Sequence, residues 1–286
     1  MQIEVKGHSG CQIEIVNEGD KLHLEKSTYD KKYISRLKLQ AEKQRTASLR
    51  SYQHIRIPEI YGIEQTEDSL IVKMQYVYSK NFIDYFEDAG FDQISYFIKA
   101  LKIFVDAEIS DSQVKEVSRQ VVIDKFKDVC LKINNNSLIK DDKDVKEIVS
   151  ASNAIFQALD EKMLMPIGKC HGDLTFSNIL FNGNNYYLID FLDSFIESPL
   201  LDLVKIRQDS AFGWSQLMVT HKFDTIRMNL ISSKIDAEIS KYYANYEWFS
   251  RYYKAFQVMN FLRVLQYAKE QKVVDYLKSV LNKLLA

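Results

Sequence analysis

Two short segments past the middle of the chain carry polar residues of the kind that bind metal ions or move protons. The first, HGDLTFSN, contains His171, Asp173 and Asn178, and the second, YYLIDF, places Asp190 before a phenylalanine. Both lie beside apolar stretches that resemble buried strands, where a carboxylate is costly unless something pairs with it. An amide oxygen and a carboxylate that converge suit Mg²⁺. A second carboxylate nearby is available to accept a proton from a hydroxyl.

The residues between the two segments predict a β-hairpin that brings the polar side chains together. ILF and YYLID have the character of strands, and NGNN between them supplies turn residues. Asn178 begins the first strand and Asp190 ends the second, so their side chains should meet. Pro166 and Gly168 break the preceding segment and place the His-Gly-Asp residues on a loop. A base, an amide and a second carboxylate are the components that phosphoryl transfer needs.

The spacing resembles that of a known family. The pattern consists of His-Gly-Asp, four residues, Asn and then Ile-Asp-Phe, and it is complete from His171 to Phe191. It resembles the signature of the aminoglycoside phosphotransferase and choline kinase family, whose members are relatives of the protein kinases. The resemblance implies that Asp173 is the catalytic base and that His171 orients the loop. It implies Asn178 and Asp190 as metal ligands, with Mg²⁺ and ATP, or alternatively GTP, as cofactors.

The resemblance continues downstream of the hairpin. ESPLLDLVKI resembles the family's helix after the metal-binding segment, which implies that Asp202 supports the loops from behind. Asp193 has two interpretations: it touches the metal or the acceptor, or it is a carboxylate in a surface turn.

The periodicity of apolar residues changes along the chain. From Gln2 to about Tyr76 they mostly alternate, which indicates antiparallel strands, with one helix over roughly 29–49. Beyond Tyr76 the period becomes helical, as in DQISYFIKALKIFV. We therefore expect an α+β, two-lobed, protein-kinase-like fold. Residues 1–78 would form a small nucleotide-binding lobe, and residues 79–286 a helical lobe with the catalytic loop and the acceptor site.

A kinase-like lobe needs a strand lysine for the phosphates and a helix glutamate that positions it. In LHLEKS, Leu24 and Lys26 share one face of a strand, so Leu24 would cover the base and Lys26 would reach the phosphates. Glu42 on the following helix is the expected partner of Lys26. The alternatives are that Glu42 pairs with Lys38 on its own helix and that Lys26 is a solvent-exposed strand lysine.

Two further stretches are candidates for nucleotide contacts. In KGHSGCQ, Gly7 and Gly10 would let backbone amides approach a phosphate, although two such glycines also suit an ordinary hairpin turn. The hinge, where backbone groups would bind the base, is expected at Gln75, Tyr76 and Val77.

Composition excludes several classes of protein. The chain has 286 residues, 46% of them hydrophobic, and a formal charge of -1, so no global field attracts nucleic acid. Its three cysteines form no disulfide or zinc pattern. A charged N-terminus and the lack of a long apolar run predict neither signal peptide nor membrane span, and hence a cytoplasmic protein. The oligomeric state cannot be read from the sequence.

The acceptor site is expected among the C-terminal helices. Trp248 and Tyr252 lie on a different stripe from the other aromatic residues there, so they either line a ligand pocket or belong to the core. From Ile231 onward there are nine basic and five acidic residues, a net charge of +4, which argues against a polycationic acceptor. We expect a small hydroxyl acceptor, sugar-like or an amino alcohol, as in phosphotransferases of bacterial surface-polysaccharide pathways.

Two other functions remain open. A nucleotide-binding pseudokinase or regulatory scaffold would share the fold, but it would not need Asp173, Asn178 and Asp190 together. A protein kinase is disfavoured because Gly172 stands where protein kinases usually carry arginine, and because no long activation segment separates Asp190 from Pro199.

Overall fold

The computed structural model describes residues 3–6, 11–19 and 21–286, and for 3–6 the backbone alone. An antiparallel sheet with one packed helix forms the N-terminal part, and a larger, mainly helical part follows. The predicted α+β class is therefore confirmed. The boundary between residues 78 and 79 stays a prediction.

The N-terminal sheet has the strand order β1-β2-β3-β6-β5, and every pair in it is antiparallel. The first six strands of the chain are β1 Ile3–Lys6, β2 Gln12–Glu18, β3 Lys21–Thr28, β4 Ile55–Arg56, β5 Ile60–Gln65 and β6 Leu70–Gln75. Strand β3 lies at the centre of the sheet, where Lys26 is opposite Ile13 of β2 and Val72 of β6. A central strand holds its side chains in fixed positions, which makes β3 a rigid support for Lys26.

The predicted helix of the N-terminal part is α1, Lys31–Ser48. Its first turn is capped by Asp30, whose side chain accepts a hydrogen bond from the backbone N–H of Lys32 at 2.9 Å. The inner face of the helix packs on the sheet through Ile34, Leu37 and Ala41.

The rest of the chain is mainly helical. Its helices are α2 Phe82–Asp88, α3 Phe91–Ser110, α4 Arg119–Asn135, α5 Lys143–Gln157, α6 Pro199–Ser210, α7 Trp214–Leu217, α8 Thr225–Tyr243, α9 Glu247–Leu265 and α10 Gln271–Leu285. Helices α6 and α9 bury residues on most of their faces, so they form the centre of the larger hydrophobic core. None of the helices in the described part of the chain is long and apolar enough to cross a bilayer.

The predicted hairpin is present. Strand β9, Ile179–Asn182, pairs antiparallel with β10, Asn185–Leu188, and β10 also pairs in parallel with the short strand β4. A further antiparallel pair, β7 (Gln113–Ser118) with β8 (Lys162–Ile167), was not expected. Its strands are far apart in sequence, and no local turn signal connects them.

The C-terminal helical region is divided, because α8 ends at Tyr243 and α9 begins at Glu247. The polar segment between α4 and α5 is a short loop that leads into α5. Asp142 accepts a hydrogen bond from the N–H of Val145 at 3.1 Å, so α5 already begins at Lys143.

Candidate active site

His171 orients the loop that precedes β9. The ring is fully buried: Nε2 lies 2.9 Å from the carbonyl oxygen of Ile189, and Nδ1 accepts from the N–H of Asp173 at 3.1 Å. The Asp173 N–H fixes Nδ1 as the acceptor, so Nε2 carries the proton. Burial lowers the pKa of His171 to about 4, and the residue is therefore a neutral positioning group at ordinary pH.

Asp173 is held from two sides. Its Oδ1 lies 3.0 Å from the ammonium of Lys205 on α6, and its Oδ2 accepts a hydrogen bond from the Asn178 side chain at 3.0 Å. Burial acts to raise the pKa of Asp173, but Lys205, His171 and Asn178 outweigh it, so the pKa lies below its usual value. The carboxylate is ionised and able to accept a hydrogen bond from a hydroxyl.

Asp202 of α6 supports this loop from beneath. The fully buried carboxylate accepts hydrogen bonds from the backbone N–H groups of His171 at 2.6 Å and Gly172 at 2.8 Å. Burial raises the pKa of Asp202 to about 6 despite these bonds. Glu108 of α3 lies beside it, and burial, reinforced by Asp202, raises the pKa of Glu108 well above its usual range. The role expected for Asp202 agrees with these contacts.

Gly172 is required by its backbone conformation and by a close neighbour. It has a φ of +86°, and a Cβ there would lie 2.0 Å from the carbonyl oxygen of Leu192. We expect Gly172→Ala to displace the loop, to lower the midpoint of thermal unfolding and to abolish most turnover. Gly62→Ala is the matched control, because a Cβ at Gly62 meets nothing within 4 Å. Equal midpoints and equal turnover in the two variants would contradict this account of the loop.

The hairpin brings Asn178 and Asp190 together. The N–H of Ile189 donates to the carbonyl oxygen of Asn178 at 3.0 Å, and Asp190 follows directly in the left-handed region at φ 61°. Asn178 uses its amide nitrogen on Asp173, which leaves its Oδ1 available. One amide oxygen and one carboxylate fit Mg²⁺, which takes its remaining oxygens from phosphates and water. No group of three or more His, Cys, Asp or Glu side chains in the described residues is arranged to hold a metal ion.

Lys26 is buried and reaches across to the hairpin. Its ammonium lies 2.7 Å from Oδ1 of Asp190, and the carboxylate raises the pKa of Lys26 against the opposing effect of burial. Glu42 is not the partner of Lys26, contrary to expectation. Its side chain is half exposed and contacts Arg45 on the same helix at 3.6 Å. Glu42 follows Ala41, which faces the sheet, so the next position turns outward. The alternative partner Lys38 instead donates to Gln65.

Lys43, the next residue of α1, connects this helix to the segment after Asp190. Its ammonium lies 2.6 Å from the carbonyl oxygen of Leu192 and 2.7 Å from Glu197 Oε2. Helix α1 is thereby fixed to the segment after Asp190 through the ammonium of Lys43, and not through a glutamate paired with Lys26.

The remaining candidates for nucleotide contacts are Leu24, the hinge residues and the glycine-containing turn. Leu24 shares the face of Lys26 and is half-buried. The N–H of Gln75 donates to the carbonyl oxygen of Glu59 at 2.8 Å, and the carbonyl oxygen of Val77 accepts from the Ser79 hydroxyl at 3.3 Å. Tyr76 directly follows the last residue of β6. The proposed turn with Gly7 and Gly10 lies outside the described residues.

Two aromatic residues expected either in a ligand pocket or in the core belong to the core. Trp248 is 8% exposed and packs on Tyr246 and Phe249, and Tyr252 is 3% exposed and donates its hydroxyl to Asp160 at 2.8 Å. Asp193 is exposed, on the border of a cavity between α1 and α3 that also includes Lys43.

Sequence reasoning missed two residues on the face of α6 that carries Asp202. Lys205 pairs with Asp173, and Asp209 accepts from the N–H groups of Phe176 at 2.6 Å and Ser215 at 2.7 Å. Burial raises the pKa of Asp209 to about 6. The spacing of three and then four residues along the helix is the signal that could have found them.

A loop carboxylate, a lysine from the antiparallel sheet and a hairpin with an amide and a carboxylate at its ends are the components that phosphoryl transfer in a protein-kinase-like fold needs. The model of the phosphotransferase enzyme family (APH) matches residues 132–221, which contain the whole His171 to Asp190 pattern. The predicted resemblance and the predicted enzyme class, a phosphotransferase with an alcohol group as acceptor, are thus confirmed. No curated protein matches the chain significantly.

Solved structures share the fold over nearly the full length. A thermostable mutant of aminoglycoside phosphotransferase APH(4)-Ia, with AMP-PNP and hygromycin B, has a TM-score of 0.67 at 9% identity, over 100% of this chain and 93% of that one. APH(2")-IIIa with GDP and kanamycin has a TM-score of 0.65 at 14% identity, over 99% and 92%. Glucosamine kinase with glucosamine, ADP and inorganic phosphate has a TM-score of 0.60 at 12% identity, over 99% and 80%. The kinase-like fold is confirmed.

Proposed function

We propose that this protein transfers the γ-phosphoryl group of ATP, with Mg²⁺, to a hydroxyl of a small sugar-like or amino-alcohol acceptor. The observation that carries the proposal is the convergence of two pairs. Lys26 reaches from the sheet to Asp190 at 2.7 Å, and Asp173 is held ionised by Lys205 at 3.0 Å on the same loop system. His171 contacts both carboxylate segments, through Ile189 and through the N–H of Asp173.

Each residue has a defined task in this reaction. Asp173 accepts a hydrogen bond from the acceptor hydroxyl and takes its proton as the new oxygen–phosphorus bond forms. The bond between the γ-phosphorus and the oxygen that bridges to the β-phosphate breaks, and ADP leaves. Lys26 holds nucleotide phosphates, and Lys205 offers positive charge beside Asp173 where negative charge develops. Mg²⁺, held by Asn178 and Asp190, would neutralise charge on the phosphate oxygens.

The nucleotide assignment has support from two sources. The similar structures contain ADP, AMP-PNP or GDP. In this chain, Lys26 brings a buried ammonium from the sheet to the hairpin, where it can bind phosphates. ATP is the proposed donor and GTP the alternative. Because ATP is made and used inside the cell, the proposal implies a cytoplasmic reaction.

A nucleotide-consumption screen tests the proposal. Purified protein would be supplied with Mg-ATP or Mg-GTP and a panel of sugars, amino alcohols and aminoglycosides. We expect acceptor-dependent release of the nucleoside diphosphate and phosphorylation of at least one hydroxyl compound. Nucleotide binding without any transfer to a hydroxyl would instead support a pseudokinase or scaffold.

Lys26→Ala should weaken the stabilisation of the protein by nucleotide. A ligand that binds only the folded state stabilises it by about 2.7 kcal/mol at one hundred times its Kd, so Mg-ATP should raise the midpoint of thermal unfolding in the wild type. The shift should be much smaller in Lys26→Ala, since Lys26 would bind phosphates.

Lys73→Ala is the control, because this lysine of β6 pairs with Glu25 and Glu64 and has no contact with Asp190. Its nucleotide-dependent shift should equal that of the wild type. An undiminished shift in Lys26→Ala would remove Lys26 from the nucleotide site.

A further inference from the structure

A narrow hollow beside the catalytic loop is lined by two cations, two polar side chains and several apolar side chains. Its lining includes Gly172 next to the proposed base, Ser194, Lys205 and Asn260 from α9, with Arg263 one turn further along that helix. The volume of the hollow is about 10 Å³, the space of about one water molecule. It therefore has room for about one oxygen atom of an acceptor and not for a ring.

The two cations of this hollow differ in their partners. Lys205 is neutralised by Asp173 at 3.0 Å. The guanidinium of Arg263 lies over the ring of Phe195, 5.6 Å from its centroid, and forms neither an ion pair nor a hydrogen bond with the residues that the structure describes. A half-buried guanidinium with five donors and no acceptor is an unusual and costly arrangement.

The electrostatic surroundings of Arg263 also favour an anion. Burial lowers its pKa, and Arg36 of α1 adds a further positive charge on that side. Among the negative charges, Asp173 has the largest effect on Arg263, but Lys205 already neutralises Asp173 and the transfer reaction needs it. The positive charge is therefore surplus at a position adjacent to the proposed base.

We propose that Arg263 binds an anionic group, a carboxylate or a phosphate, on the hydroxyl compound that is phosphorylated. The inference rests on the proposed function, because it concerns the acceptor of the same site. It changes the expected acceptor from a sugar-like compound or amino alcohol to a hydroxy acid or sugar phosphate. A guanidinium offers parallel donors that match two oxygens of either anion. With the anion on Arg263, the same molecule presents its hydroxyl to Asp173.

Matched hexoses test this inference by binding first. Titration calorimetry with Mg-ADP present, so that no transfer occurs, would compare glucose, glucosamine, glucuronate and glucose 6-phosphate. We expect glucuronate or glucose 6-phosphate to bind at least ten times more tightly than glucose or glucosamine. The stronger of the two anions identifies a carboxylate or a phosphate as the group.

Arg263→Met should reduce the affinity for that anionic hexose by about 10- to 100-fold, as expected for a hydrogen-bonded charge, with Arg263→Lys intermediate. Arg251→Met is the matched control, because Arg251 lies on the same helix and pairs with Asp160 and Glu247 instead. It should bind the anionic hexose as the wild type does.

The outcomes separate the two proposals. Preference for glucose or glucosamine, no binding of any member, or an equal loss of affinity for glucose and the anion in Arg263→Met would each overturn the anion site. Selective binding of the anion, followed by no transfer from Mg-ATP to it, would leave the anion site standing and overturn the proposed kinase function.

Discussion

Asp173→Asn is expected to lower turnover about 10²- to 10⁴-fold, the usual contribution of a general base, while Mg-ATP still binds with nearly normal affinity. The amide cannot take the proton of the acceptor hydroxyl. The side chain has the same shape, so Oδ1 of the new residue can still contact Lys205, and the loop keeps its bonds to Asp202. Turnover under saturating nucleotide and calorimetry with Mg-ATP measure the two quantities separately.

Asp190→Asn is the variant with which Asp173→Asn should be compared. It removes a charge from the proposed metal site and also the partner of the buried Lys26 at 2.7 Å. Mg-ATP affinity should therefore fall, in contrast to Asp173→Asn. If both variants lost the same affinity for Mg-ATP, the two carboxylates would not have the separate roles assigned to them.

Asp202→Ala should destabilise the protein more than any other single change considered for the loop. Two buried N–H groups, of His171 and Gly172, would lose their acceptor. An unsatisfied buried group costs about 1–3 kcal/mol, so unfolding by denaturant should show a loss of about 2–6 kcal/mol. Asp124→Ala, at an exposed site of α4, should change stability by less than about 0.5 kcal/mol. Similar stabilities of the two variants would exclude Asp202 as the support of the loop.

The pH dependence of stability offers a second signature of Asp202. Its pKa of about 6 in the folded protein exceeds the value of about 3.9 expected after unfolding. Between these values the folded state retains a proton that the unfolded state has released, so the contribution of Asp202 to stability decreases as pH rises from about 4 to 6. Asp202→Asn should lack this component, and its stability relative to the wild type should improve over that range.

The sequence predicts most of the site because the pattern is local. His171, Asp173 and Asn178 lie within eight residues, and a hairpin with an evident turn carries the chain to Asp190. Strand alternation placed Leu24 and Lys26 on the same face, and the burial of Lys26 shows that this face points inward. These features depend on residues close together in the sequence, so the residue types and the alternation of apolar residues are enough to predict them.

The features that the sequence did not predict depend on contacts between distant segments. Glu42 and Lys43 are adjacent on α1, and a rotation of the helix by one residue decides which of them points inward. Arg263 and Lys205 reach the loop only because α9 and α6 pack beneath it. Trp248 and Tyr252 could not be assigned from a helical stripe, since α9 is covered on most sides.

The most direct measurement is the rate of γ-phosphoryl transfer from isotopically labelled Mg-ATP to the best hydroxyl acceptor, in the wild type and in Asp173→Asn, at saturating nucleotide. The account predicts that the label appears on the acceptor in the wild type and that transfer is about 10²- to 10⁴-fold slower in the variant. Transfer at the wild-type rate by Asp173→Asn, or no transfer to any hydroxyl by the wild type, would contradict it.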